Sequence, residues 1–186
     1  WNAARFLEMN ACTRKATYAP NKVDLPVNRW IIGATAKAVA EVQGSIEDYK
    51  FNEAANSAYD FVWGIYCDWY LELIKPILTG EDETEKAETQ ATAAWVLDQI
   101  LKLLHPFMPF VTEELWAETG KTGPARDRQL IISEWPMLTG LGDKDAEAEM
   151  GWLIEVVSGI RSVRQEMNVP AGAKIPVVVV GAGEET

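Results

Sequence analysis

Side chains able to do chemistry are few in this sequence and poorly grouped. Its one histidine, His105, stands between Leu104 and Pro106. A single imidazole cannot assemble a metal cluster, so a structural role at a helix end is expected. Cys12 and Cys67 have neither a redox nor a metal-ligand spacing and are expected as reduced thiols. Paired carboxylates can trade protons in acid–base catalysis. The pairs available, Asp68 with Glu72 and Glu113 with Glu114, fall on a solvated helix stripe and in a helix first turn, where the macrodipole suits them. No phosphate-binding loop, dinucleotide-binding glycine pattern or nucleophile elbow occurs. The side chains favour binding over catalysis.

Charge says where binding is to be sought. The net charge of −11 argues against a strongly basic nucleic-acid binder and against DNA. Its distribution is uneven: residues 1–50 hold seven Lys/Arg and five Asp/Glu, a net of +2, whereas residues 51–186 hold ten and 23, a net of −13. A face that meets phosphate should draw on the first third. Arg29, Gly33 and Lys37 are spaced by four on one helix, Trp30 is beside them, and Lys50 precedes the next helix. Trp30 suits either base stacking or the core. Arg161 and Arg164 form a second basic spot, which fits either a nucleic-acid backbone or pairing with Glu155 and Glu166. Each of these cations has an ordinary solvated role as its alternative.

The elements that must position these residues are mostly helices. Phe51–Pro76 repeats apolar residues at helical spacing in two stripes. One is Phe51, Ala55, Ala58, Val62, Ile65, Trp69 and Leu73; the other is Tyr59, Trp63, Tyr66, Tyr70 and Ile74. A helix so widely apolar is expected as the central rod of a bundle, stopped by Pro76. Residues 1–9 read as a helix and 10–26 as a linker broken by Pro20 and Pro26. A helix over 28–44 should bury Ile31, Ala34, Ala38 and Val42 and end at Gly44. Thr84 is the expected N-cap of a helix over 85–104, which Pro106 ends, and a short helix follows over 109–118. QLIISEWP (129–136) reads as a short extended arm. Asp143 can cap a last helix over 143–167, and KIPVVVV (174–180) reads as a strand fragment. With 48% hydrophobic residues, 186 residues can bury a core without disulfides or metal. No apolar run approaches the roughly 18 residues of a membrane span, so no membrane partner is expected.

Several long motifs carry a resemblance. CDWYLELIKPIL (67–78) and LLHPFMPFVTEELW (103–116) resemble the anticodon-binding helical domain of the valyl-tRNA synthetases. WNAARFLEMN (1–10), NRWI (28–31), FVW (61–63), SEWP (133–136) and IRSVRQEMNVP (160–170) agree with it. The isoleucyl and leucyl relatives share the bundle but generally not the Cys-Asp-Trp-Tyr-Leu-Glu run. The resemblance implies a mainly α bundle of the class Ia synthetase anticodon-binding type, with a short extended arm and a C-terminal strand fragment. It divides the chain into an N-terminal helix and linker (1–27), the bundle (28–140), and a long helix and strand (141–186) leading to a missing arm. It implies a piece of a longer cytoplasmic ligase that attaches valine to tRNA(Val) using ATP and magnesium. The catalytic and editing domains would lie upstream, and this piece would hold no cofactor. Arg29, Trp30, Lys37, Lys50, Arg161 and Arg164 are then the candidate RNA contacts. One departure is Gly33-Ala34-Thr35, where members of the family often place a basic residue. The competing expectation is an acidic protein-interaction bundle, favoured if several of the eight tryptophans are exposed.

Overall fold

The computed structural model describes residues 1–170 and 172–178, and among these the chain is helical with irregular connections and no strand. It separates into two compact units, Trp1–Met150 and Gly151–Thr186. In order, the helices are α1 (Asn2–Met9), α2 (Pro26–Glu47) and α3 (Phe51–Tyr59), then a π-helical segment (Asp60–Tyr70). α4 (Leu71–Leu73), α5 (Lys75–Thr79), α6 (Glu83–Leu104), α7 (Pro109–Thr119) and α8 (Lys144–Glu166) follow.

Local chemistry explains most helix ends. Pro26 and Pro109 stand in the first turns of α2 and α7, where a missing N–H costs nothing. Asp82 caps α6, its carboxylate accepting from the N–H groups of Thr84 (2.8 Å) and Glu85 (3.1 Å). Asp82 therefore takes the place expected for Thr84. Gly44 lies inside α2, which runs on to Glu47 and ends where Tyr49 takes a positive φ of 60°. Pro76 does not end the helical rod; the chain turns at Ile74 and restarts as α5 with Pro76 in its first turn.

The expected central rod is the largest departure. α6 is the middle of the first unit, packing against α1, α2, α3, α5 and α7. Within Phe51–Leu78 the buried residues are Ala54, Ala58, Phe61, Tyr66, Tyr70, Leu71, Ile74 and Leu78. The step from Phe61 to Tyr66 is five residues, because a π turn closes i→i+5 rather than i→i+4 hydrogen bonds. A stripe drawn at 3.6 residues per turn cannot follow that change. Tyr59 and Trp63 accordingly face water, 60% and 58% exposed, and so does Phe51 in the first turn of α3, at 56%.

Within QLIISEWP, Leu130–Ile132 form a 3-10 turn, and Gln129 and Ser133 on either side of it are extended. Glu113 of α7 holds it, accepting from the N–H groups of Leu130 (2.8 Å) and Ile131 (3.1 Å). Arg126 fastens the preceding loop. It forks onto Asp98 (2.8 and 3.1 Å), donates to Thr119 Oγ1 (2.8 Å) and lies 3.4 Å above the Trp116 ring.

In the second unit, Arg164 donates to the carbonyls of Ala173 (3.0 Å) and Pro170 (2.9 Å), folding the chain back after α8. Of the strand expected at 174–180, residues 174–178 have no regular structure, and 179–180 lie outside the described residues.

Candidate nucleic-acid interface

α2 carries the first three candidate residues, and its beginning is held from a distance. Glu88 of α6 accepts from the backbone N–H groups of Asp24 (2.9 Å) and Leu25 (3.0 Å) and from Asn28 Nδ2 (2.9 Å). A carboxylate at this place satisfies donors that a helix start leaves open. Asn28, fully buried, also donates to Thr89 Oγ1 (3.1 Å) and accepts from the Tyr70 hydroxyl (3.0 Å). The first turn of α2 is thus tied to both α6 and the π segment.

Arg29 follows directly. Its guanidinium meets Asp143 at 3.4 Å, and the other oxygen of Asp143 accepts from the N–H groups of Asp145 (3.0 Å) and Ala146 (2.9 Å). The same carboxylate therefore caps α8, as the sequence suggests, and anchors Arg29. Chiefly the Ala146 N–H, and then Arg29, hold the Asp143 carboxyl below its usual value. Trp30 is 7% exposed and belongs to the core, so its ring is not available for stacking.

Beyond them, Gly33, Ala36 and Ala40 floor a groove of about 640 Å³, walled by residues 136–144, with Lys37 exposed on its rim. A Cβ on Gly33 would stand 3.2 Å from the Cα of Gly142. The approach of this wall leaves little room for a side chain at Gly33. Lys37 has no ion-pair partner among the described residues, and Lys144 shares its groove.

Lys50 is elsewhere. At 1.5 Å per residue it is about 30 Å along the axis from Arg29, past the far end of α2. It pairs with Asp48 (3.2 Å) and Glu53 (4.0 Å), which raise its pKa, Asp48 first. Two exposed rings flank it: Tyr49, 82% exposed, and Phe51 meet edge to face at 6.3 Å. This aromatic corner was not among the candidates, because Phe51 reads as an inward stripe residue. The available signal was the Asp-Tyr-Lys-Phe run across a helix junction, where a first-turn residue has little core above it.

Arg161 and Arg164 belong to the second unit. Arg161 is exposed, and Arg164 makes the carbonyl contacts described above. The structure sets Lys37 on the groove, joins Arg29 to the groove wall through Asp143, sets Lys50 at a separate corner, and puts Trp30 inside.

A family model described as the anticodon-binding domain of tRNA ligase matches residues 28–179. That span covers more than half of the chain and begins at Asn28, in the tied first turn of α2. The chain belongs to the anticodon-binding domain family of tRNA ligases. Among curated relatives, the valine--tRNA ligase of Caulobacter vibrioides is 57% identical over 187 residues, covering 100% of this chain and 21% of the relative. That of Brucella suis is 54% identical over 186 residues, covering 100% and 20%. That of Rhizobium meliloti is 53% identical over 184 residues, covering 98% and 19%. The chain thus spans about a fifth of the length of the curated relatives it matches. All six candidate residues, and the Tyr49–Phe51 corner, fall inside the family match. No helix among the described residues is long and apolar enough to cross a membrane.

Proposed function

We propose that this chain is the tRNA-binding helical part of a cytoplasmic valine--tRNA ligase. It binds and positions tRNA(Val), while ATP and magnesium serve catalytic and editing portions of the same polypeptide. The observation that carries the tRNA reading is the exposed corner of Tyr49, Lys50 and Phe51 just past the end of α2, the helix whose middle carries Lys37 and its groove. Anticodon bases are single-stranded and splayed, so exposed rings can stack on them and groove-lining groups can meet their edges. The glycine and alanine floor lets a base or a sugar approach the helix closely. Lys37 and Lys144 supply phosphate contacts, which add salt-dependent affinity without sequence information. Arg29 is held by Asp143 of the groove wall, so it serves the shape of the groove. The high identity to valine--tRNA ligases over the whole chain supports the valine assignment over the isoleucyl and leucyl alternatives.

The test is binding of this chain to valine tRNA transcripts with native and altered anticodons across a salt series. The expected result is weaker binding to the altered anticodon and a linear log–log salt dependence. Phe51→Ala should weaken native binding by roughly 5- to 150-fold, the size of one base–aromatic stack. Lys37→Gln should lower the salt slope by about one. Indifference to both the anticodon and Phe51→Ala would overturn the reading.

A further inference from the structure

The rod from Phe51 to Ile74 contains no lysine or arginine, yet turns Glu53, Asp60, Asp68 and Glu72 to water. Glu53 and Glu72 pair with Lys50 (4.0 Å) and Lys75 (2.6 Å) at its two ends. Asp60 and Asp68, in the middle, have no ion-pair partner among the described residues. Trp63 stands between them, and Tyr59 directly before Asp60, both more than half exposed, their ring planes 8° apart and centroids 6.4 Å apart. Beside Trp63 the surface is open: a Cβ on Gly64 would meet no atom within 4 Å. Asp60 and Asp68 lie within about one helical turn of Trp63 on either side.

Two parallel aromatic faces with flanking carboxylates attract a flat cation. The ring faces are negative and prefer a guanidinium, which stacks by its plane while its edge donates to a carboxylate. A polynucleotide would bring its phosphates into a field of carboxylates with no cation to receive them. We infer that the Tyr59–Trp63 face binds an arginine side chain presented by another protein segment, with Asp60 or Asp68 as its counter-ion. This surface is separate from the Tyr49–Lys50–Phe51 corner, and the inference does not depend on the RNA reading. It also gives a definite place to the exposure of Trp63, one of the tryptophans on which an interaction role would rest.

The test is a fluorine NMR titration of the chain labelled with 5-fluorotryptophan, the Trp63 signal being assigned with Trp63→Phe. The probes are acetyl-Gly-Arg-Gly-amide, its lysine counterpart and a five-nucleotide single-stranded RNA. Expected is a saturable shift of Trp63 with the arginine peptide and about two- to five-fold weaker binding of the lysine peptide, the size of one exposed cation–π contact. The double variant D60N and D68N should weaken binding of both peptides by removing the counter-ion, while leaving the far-UV dichroism and melting unchanged. Equal response to both peptides, no saturable shift, no effect of the double variant, or a tighter response to RNA would each overturn the inference. The last outcome would make the face a base-stacking platform instead.

Discussion

Replacing Asn28 with alanine probes the junction that sets the candidate interface in place. Asn28 is fully buried and joins three elements through its amide: Glu88 at 2.9 Å, Thr89 at 3.1 Å and the Tyr70 hydroxyl at 3.0 Å. The bond to the Glu88 carboxylate is worth about 1.5–3 kcal/mol and the two neutral bonds about 1 kcal/mol each, so Asn28→Ala should cost about 3–5 kcal/mol. Part of that loss is the fully buried Tyr70 hydroxyl left without an acceptor. Tyr70→Phe removes the hydroxyl, so the double variant should be less destabilised than the sum of the single ones, by about 1 kcal/mol or more. Urea unfolding followed by circular dichroism measures all four corners of this cycle. A loss below about 1 kcal/mol for Asn28→Ala, or strict additivity, would refute the claim that this amide ties α2 to α6 and the π segment. Loss of tRNA affinity beyond the loss of folded protein is expected too, since Arg29 is the next residue along α2.

Four shorter predictions follow from other parts of the chain. Arg126→Ala should cost about 3–5 kcal/mol by stranding Asp98, offset in part by Arg14, which is 3.8 Å from Asp98; urea unfolding measures this, and a loss under 1 kcal/mol would contradict it. Burial pushes the Cys12 thiol up to about 12, so at pH 8 iodoacetamide should label it about three orders of magnitude more slowly in the folded chain than in urea; mass spectrometry of quenched samples decides. Because the Asp143 carboxyl is held below its usual value in the folded state, its contribution is present above the unfolded Asp pKa and is lost as pH falls through the folded one. The protection factors of the Asp145 and Ala146 amides, corrected for the fall of intrinsic exchange with pH, should therefore drop on acidification, and Asp143→Asn should remove that drop. Phe51→Ala should leave the urea midpoint nearly unchanged, because the ring is over half exposed; a large loss would mean that the corner is scaffold.

Much of this architecture could be read from the chain one segment at a time. Pro26, Pro109, Gly120 and Asp143 mark helix ends through backbone rules that act within three or four residues, and each lies at such an end in the fold. The bundle class and the family follow in the same way, from long runs such as CDWYLELIKPIL. The shared face of Arg29, Gly33 and Lys37 on α2 was legible because helical spacing alone decides it. Trp30, Phe51 and Lys50 were not, because burial and separation depend on what packs opposite.

The sequence by itself determined where helices start, that they pack through apolar faces, and that little in the chain could catalyse. Only the tertiary structure decided which faces those are. A π turn cannot be told from an α turn by composition, yet it rotates Tyr66 and Tyr70 inward and Tyr59 and Trp63 outward. Glu88 reaches Leu25 and Asn28, and Asp143 reaches Arg29, across more than 50 residues of chain. Such pairings carry no local signal; they arise because a buried donor must find an acceptor, and the folded backbone supplies it from whichever element lies nearest.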